Sequence, residues 1–430
     1  MKFDIVIIGG GAAGFYTAIH VAEANPDLRV AILERGKEVL SKVKISGGGR
    51  CNVTHAVFDP KELTSSYPRG EKELLGPFHT YASGDTVAFF EERGIALKIE
   101  EDGRMFPETD SSQTIIDCFT AETERLGIKV FTKSAVTNIF KETIDTEDYW
   151  QIKTSDENIS YCTKYIVMAT GSNPKIWNLL SKLGHTITPP VPSLFTFNIK
   201  DDRIKDIPGL STEATITVLQ DRKSAKRNSA SEGNLFSEGP LLITHWGMSG
   251  PAILKLSAWG ARVFQECKYQ FKIKINWLPE HTKETLLEFF LASKDTEKKT
   301  VLNTRVLAIP KRLWERLVSA SSIENTTTWA EVTKKQLDKL ATQITEGVFQ
   351  VDGKSTFKEE FVTAGGVQLK ELHFKTYESR ILPNLYFAGE ILNIDAVTGG
   401  FNFQSAWTGG YMAAQGITNN ITENKLKTVS

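Results

Sequence analysis

Asp4-Ile5-Val6-Ile7-Ile8-Gly9-Gly10-Gly11-Ala12-Ala13-Gly14 is the stretch on which the fold turns. Its continuous apolar run suits a parallel strand buried on both faces, and glycines follow at once. Gly14 to Glu23 reads as a helix and Leu28 to Glu34 as a second strand, closing a βαβ unit of roughly 30 residues. Gly9, Gly11 and Gly14 match GxGxxG at a strand-to-helix junction, the context in which that pattern has physical meaning. Gly9 permits the tight turn, Gly11 removes a side chain that would block a pyrophosphate, and Gly14 lets the helix pack closely on the sheet. Ala12 and Ala13 lie where the helix offers unsatisfied N–H groups and a partial positive charge to phosphate. Glu34, about twenty residues after Gly14, stands where a carboxylate hydrogen-bonds an adenosine ribose. Together these features predict a bound adenine dinucleotide.

The choice between NAD and FAD falls to distant segments. Ser46-Gly47-Gly48-Gly49-Arg50-Cys51-Asn52 lies soon after Glu34. Ala169-Thr170-Gly171 follows the apolar run Tyr165 to Met168, and Ala388-Gly389-Glu390 follows Leu385 to Phe387. Small residues at the ends of apolar strands belong at the carboxyl edge of a sheet, where nucleotides bind in α/β folds. A long cofactor needs several such segments, which favours FAD. Taken singly, each also reads as a turn between sheet and helix.

The remaining chain is organised around this core. Ser111 to Leu126 reads as a helix, Ile128 to Phe131 as a strand, and Val136 to Phe140 with Tyr149 to Lys153 as antiparallel strands. Pro189, Pro190 and Pro192 mark an extended connection and a domain boundary. Leu194 to about Trp277 is strand-like, including the alternation of Ala214 to Leu219 and Phe271 to Ile275, and suggests a small β-barrel. Asp221 to Gly233 reads as an exposed loop. Lys283 to about Thr345 reads as helical, an accessory cap with Leu286, Leu287, Phe290 and Leu291 on one face. Ser405 to Gln415 is the expected final helix.

With 430 residues, the chain is long enough for two or three cores. Its 51 basic and 52 acidic residues nearly cancel, which argues against a strongly basic nucleic-acid surface. Cys51, Cys118, Cys162 and Cys267 form no CxxC pair, so neither a zinc site nor a disulfide framework is suggested. The run Phe3 to Gly10 is too short to span a bilayer and leads into glycines, so a cytoplasmic protein without membrane contact is expected.

Beyond these readings, the chain resembles the YhiN/BaiN-type, HI0933-like bacterial flavoproteins along its whole length. The resemblance rests on Gly9 to Gly14, on Lys42 followed by Ile45 to Asn52, and on Gly103-Arg104-Met105-Phe106-Pro107. It continues through Thr244 to Pro251, Thr363-Ala364-Gly365-Gly366-Val367, and Gly389-Glu390 to Gly399-Gly400-Phe401-Asn402. It implies an α/β fold: a discontinuous Rossmann-like FAD-binding domain with an inserted β-barrel and a helical subdomain. The expected division is an FAD domain at 1–190 and 351–430, a barrel at 191–280 and a helical insert at 281–350. Asn393 and Ala396 depart from the family pattern, which has Asp and Gly at those positions. Asn393 removes a charge, and Ala396 loses freedom at positive φ. The candidate cofactor-binding set is Gly9, Gly11, Ala12, Ala13, Gly14, Glu34, Arg35, Lys42, Ser46, Gly47, Gly49, Arg50, Cys51, Asn52, Val136, Ala169, Thr170, Gly171, Gly389, Glu390, Asp395, Gly400, Phe401 and Asn402.

A flavin carries the redox step itself, so few side chains need be catalytic. Gly399 to Asn402, leading into the last helix, would place N–H groups near the flavin N1 and C2 carbonyl; an ordinary helix cap is the competing reading. Arg50 suits a pyrophosphate, an anionic substrate or plain solvent exposure. His245 is a candidate proton donor in a strand-to-glycine segment, against a core histidine or one supporting the Gly247 to Pro251 turn. Cys51 is a candidate thiol acid, against a small buried residue in a cofactor loop. No second GxGxxG unit is present, so NAD(P)H would be a transient donor or another reductant would serve. The leading expectation is a flavin-dependent reductase of an unsaturated organic small molecule. The resemblance adds uridine reduction in ribosomal RNA, for which Lys223, Lys226, Arg227, Lys298, Lys299, Lys311 and Arg312 would form a basic face. A non-catalytic flavin sensor is the third reading. Oligomeric state is open.

Overall fold

The computed structural model describes residues 1–219, 235–304, 307–355 and 362–429. The chain forms two compact units: residues 1–191 with 362–430, and residues 192–361. The proposed loop Asp221 to Gly233, with Lys223, Lys226 and Arg227, lies outside the described residues.

The first unit is built on a seven-stranded sheet. From one edge its strands are Leu372–His373, Glu378–Ser379, Leu385–Phe387, Tyr165–Met168, Ile5–Ile8, Val30–Leu33 and Lys129–Phe131. The last five are parallel, and the first two form an antiparallel border. Burial on both faces explains why Ile5–Ile8, Val30–Leu33 and Tyr165–Met168 are unbroken apolar runs without alternation. The N-terminal helix, Ala12–Ala24, starts two residues before the position expected from the sequence, because Gly11 already serves as its N-cap. Two glycines hold the junction close. A Cβ on Gly9, whose φ is +118°, would lie 2.2 Å from Ala169 O, and one on Gly14 would lie 2.0 Å from Gly9 O.

The expected final helix is longer than the sequence suggested, spanning Phe401–Val429 and packing along Ala12–Ala24. Smaller sheets complete the unit: Thr54–His55 with Arg104–Pro107 and Leu97–Ile99, then Val136–Ile144 with Glu147–Thr154 and Ser160–Thr163. The prolines at 189, 190 and 192 lie in the strand Ile187–Ser193, which among the described residues forms a two-stranded sheet with Val362–Val367, so missing N–H donors interrupt no larger ladder there.

The second unit holds another seven-stranded sheet, antiparallel throughout: Gly347–Asp352, Gln270–Asn276, Ser211–Leu219, Phe236–Thr244, Gly247–Ser249, Thr196–Asn198 and Lys354–Ser355. The uniform strand reading of 194–277 needs correction. Pro251–Trp259 and Ala261–Glu266 are helices, with Pro251 in the first turn where its missing N–H costs nothing, and Ile253, Leu256 and Phe264 buried. Lys283–Thr296, Lys311–Ala320 and Lys334–Thr345 are helices as expected. The last starts at a reciprocal cap: Thr333 Oγ1 accepts from Gln336 N at 3.2 Å while Gln336 Oε1 accepts from Thr333 N at 3.0 Å.

Candidate active site

Three neighbouring parallel strands of the first unit end in the glycine segments singled out in the sequence: Ile5–Ile8 in Gly9, Tyr165–Met168 in Ala169-Thr170-Gly171, and Leu385–Phe387 in Ala388-Gly389-Glu390. Backbone bonds stitch them together, Ala169 N donating to Ile8 O and Ala388 N to Met168 O, each within 3.0 Å. The N-terminal helix has no side-chain cap and no acid in its first turn, and a Cβ on Gly11 would meet nothing within 4 Å. Uncapped amides beside open space suit an anion. Glu34 follows the next strand. Its two carboxylate oxygens accept from Gly10 N at 2.8 Å and Gly36 N at 2.7 Å, each keeping a lone pair for a further donor. Ser134 N donates to Glu34 O at 2.8 Å, which brings the start of Val136–Ile144 to the same corner. Arg35 is exposed.

Glu390 gathers the other side of the site. One oxygen pairs with Lys42 Nζ, and the other accepts from Thr363 N at 3.0 Å. A Cβ on Gly171 would be 3.7 Å from Glu390. Thr170 Oγ1, Thr363 Oγ1 and Asn393 Oδ1 are buried without hydrogen-bond partners around this group. Such orphaned groups need satisfaction by a ligand or water. These observations fit a dinucleotide cofactor.

The Lys42–Asn52 segment begins as a helix and breaks at Ser46, whose Oγ donates to Val43 O at 2.9 Å; Gly47, Gly48 and Gly49 are exposed. Arg50 lies 3.9 Å above the Phe106 ring and pairs with Glu100 at 2.5 Å and Asp110 at 3.4 Å, so any anion must compete with two carboxylates. Cys51 is fully buried, and burial pushes its thiol up to about 12, which disfavours the thiol-acid reading. Asn52 is buried; with its amide oriented to satisfy its neighbours, Oδ1 accepts from Gly400 N at 3.0 Å and Nδ2 donates to Thr54 O at 3.0 Å.

Asp395 is fully buried and bound by both nitrogens of an Arg69 fork, so it anchors its loop from within. Asn402 is likewise turned inward: Oδ1 accepts from Ala396 N at 3.0 Å and Nδ2 donates to Ala396 O at 3.2 Å. Ala396 is not among the residues at positive φ, so the alanine brings no backbone strain. Phe401 begins the C-terminal helix, and Gly400 precedes it at positive φ. His245 sits in the other unit, exposed in the turn between Phe236–Thr244 and Gly247–Ser249, which removes its reading as a core histidine.

Sequence reasoning missed several residues of this site. Gln404 is fully buried and accepts from Thr54 Oγ1 at 2.6 Å and Thr86 Oγ1 at 3.0 Å. Tyr67 OH donates to Phe401 O at 2.6 Å, and His55 Nδ1 meets Gly399 O at 2.9 Å. His55 carried a local signal, following Ser46 to Asn52 by a few residues, as did Gln404, two residues after Asn402; Tyr67 carried none.

A parallel sheet whose adjacent strands end in glycine turns, with an uncapped helix and a following acid, defines a Rossmann-like protein that binds an adenine dinucleotide. Residues 3–416 match the family described as HI0933-like protein Rossmann domain, and the chain belongs to this family of FAD-dependent oxidoreductases. Ribosomal RNA dihydrouridine synthase of Escherichia coli (strain K12) is 30% identical, covering 97% of this chain and 98% of its own. The 3-dehydro-bile acid delta(4,6)-reductase of Clostridium scindens is 28% identical, covering 96% and 98%. Among solved structures, 3-ketosteroid-delta4-(5alpha)-dehydrogenase of Rhodococcus jostii RHA1 superimposes with a TM-score of 0.50 over 97% of each chain at 12% identity, a likeness of fold. The family implies FAD. No helix among the described residues is long and apolar enough to cross a membrane.

Proposed function

We propose that the chain is an FAD-dependent reductase that takes hydride from NAD(P)H or another donor and adds hydrogen across a carbon–carbon double bond of an unsaturated organic acceptor. The convergence of Gly9 to Gly14, Ala169 to Gly171 and Gly389-Glu390 at one sheet edge carries this reading. FAD, when bound, supplies the two-electron chemistry. In this reading the amides of Ala12 to Gly14 hold the pyrophosphate, Glu34 takes a ribose hydroxyl, and Thr170 and Thr363 find their missing partners in the ligand. The amides opening the Phe401–Val429 helix stabilise negative charge at the flavin pyrimidine. The unit 1–191 with 362–430 is taken as the discontinuous FAD domain. In the insert, Gly347–Asp352 and Lys354–Ser355 are consecutive in the chain yet occupy the two ends of the sheet, which supports a small barrel.

The relatives support the reaction class. Dihydrouridine differs from uridine by hydrogen added across a ring double bond, and a delta(4,6)-reductase removes such bonds from a steroid skeleton. The 30% identity to the RNA enzyme favours ribosomal RNA as a second acceptor class. Lys298, Lys299, Lys311 and Arg312 are exposed and available for phosphate contact.

Anaerobic titration tests the first reading: the purified yellow protein is expected to bleach on addition of NADPH or NADH and to regain colour with an unsaturated acceptor. Colourless protein that cannot be reconstituted with FAD defeats it. Unchanged dihydrouridine in ribosomal RNA from a deletion strain eliminates the RNA reading alone.

A further inference from the structure

Three consecutive residues entering the C-terminal helix are each held by a side chain from the beginning of the chain. Gly399 O is met by His55 Nδ1 at 2.9 Å, Gly400 N by Asn52 Oδ1 at 3.0 Å, and Phe401 O by Tyr67 OH at 2.6 Å. Gly399 and Gly400 have φ of +133° and +94°, a geometry open to glycine and rarely to other residues, and because glycine is equally free to adopt others, outside contacts select this one. His55 adds a stacked contact to its hydrogen bond. Its ring stacks on Phe401 with centroids 4.5 Å apart and planes at 27°, and its other edge lies against Gly103, where a Cβ would be 2.6 Å from Nε2. A carbonyl oxygen only accepts, so Nδ1 carries a proton.

We propose that His55 is a positioning residue for the flavin, setting the Gly399–Gly400 peptide through its Nδ1–H bond and its stack on Phe401. The inference rests on the flavin reading above. The Gly399 carbonyl and the Gly400 N–H belong to one planar peptide, so Asn52 holds it from one side and His55 from the other, and together they narrow the directions open to the neighbouring amides. Preorganised amides stabilise charge without reorganising when it develops.

The test uses the whole chain stripped of cofactor, titrated with FAD by flavin fluorescence and followed by the absorption band. Asn places an N–H near the position of imidazole Nδ1, whereas Leu fills volume without a donor. Loss of one such hydrogen bond corresponds to about a tenfold change in affinity. His55→Leu is therefore expected to weaken FAD binding about tenfold and shift the visible band, while His55→Asn recovers affinity to within about threefold of wild type. His55→Gln, polar and of similar volume, is expected to follow Leu, and stands in for it should Leu fail to fold. Wild-type protein that binds FAD alongside variants with unchanged affinity and spectrum overturns this inference alone. So does an equal loss in the Asn and Gln variants. Wild-type protein that takes up no FAD overturns the flavin reading and this inference with it.

Discussion

Cys51 follows the glycine turn at a φ of +61°, fully buried, with its thiol raised from 9.0 to about 12 by burial. A thiol raised in the folded state contributes stability that is complete below the unfolded value near 9 and is lost as pH climbs towards 12. Cys51→Ala is therefore expected to flatten the alkaline loss of stability relative to wild type, by up to about 1.4 kcal/mol per pH unit in denaturant melts. It should leave flavin reduction at pH 7 within about twofold, because a protonated buried thiol contributes no thiolate. A hundredfold loss of turnover with unchanged stability would restore the thiol-acid role. The residue was legible in the sequence as part of a cofactor loop; its protonation state was not, since that depends on burial.

The C-terminal helix depends on partners that its own sequence does not announce. Gln404 joins Thr54 and Thr86, and its Nε2 donates to Thr408 Oγ1 at 3.1 Å. Trp407 Nε1 donates to Val53 O at 2.9 Å. Thr54, Thr86 and Thr408 each have a second acceptor in reserve, Ser83 Oγ at 3.3 Å, Ala82 O and Tyr81 O, so Gln404→Leu removes three bonds to the amide and leaves the hydroxyls on these alternatives. The expected cost is about 1–3 kcal/mol, read as a lowered melting temperature together with weaker retention of FAD. A variant as stable as wild type would show that the buried amide is dispensable. Local pattern was enough to find Ser405 to Gln415 as helix but not its first turn, because Gly399 and Gly400 mask the start and Phe401 and Asn402 owe their placement to Tyr67 and Ala396. The same blindness affected 194–277: Pro251 and the small residues Ala252, Ser257 and Ala258 hid a buried helix among strands.

At the scale of the molecule, the chain leaves the first unit after Val191 and re-enters at Val362, and the strands at the two crossings, Ile187–Ser193 and Val362–Val367, pair with each other. Replacing 192–361 with a short Gly-Ser linker is therefore expected to leave a folded protein that still binds FAD but has lost turnover of its acceptor. Aggregation, or loss of flavin binding, would show that the first unit needs the second. The parallel core and its glycine ends were readable because each is encoded within a few residues. The Arg69–Asp395 pair and the Lys42–Glu390 pair were not, since each joins positions more than 300 residues apart and neither partner carries a mark of the other.

Thr54 and Gln404, 350 residues apart, share one buried bond, and this has a consequence for biosynthesis. At about 5–20 residues per second, the ribosome makes the glycine fingerprint roughly 20–80 seconds before the helix that closes the site. Until then the apolar face of Ala12–Ala24 awaits its partner, and the nascent chain needs shelter from aggregation. Flavin capture is accordingly a late event, and products shortened by even a few turns before Phe401–Val429 are expected to emerge colourless.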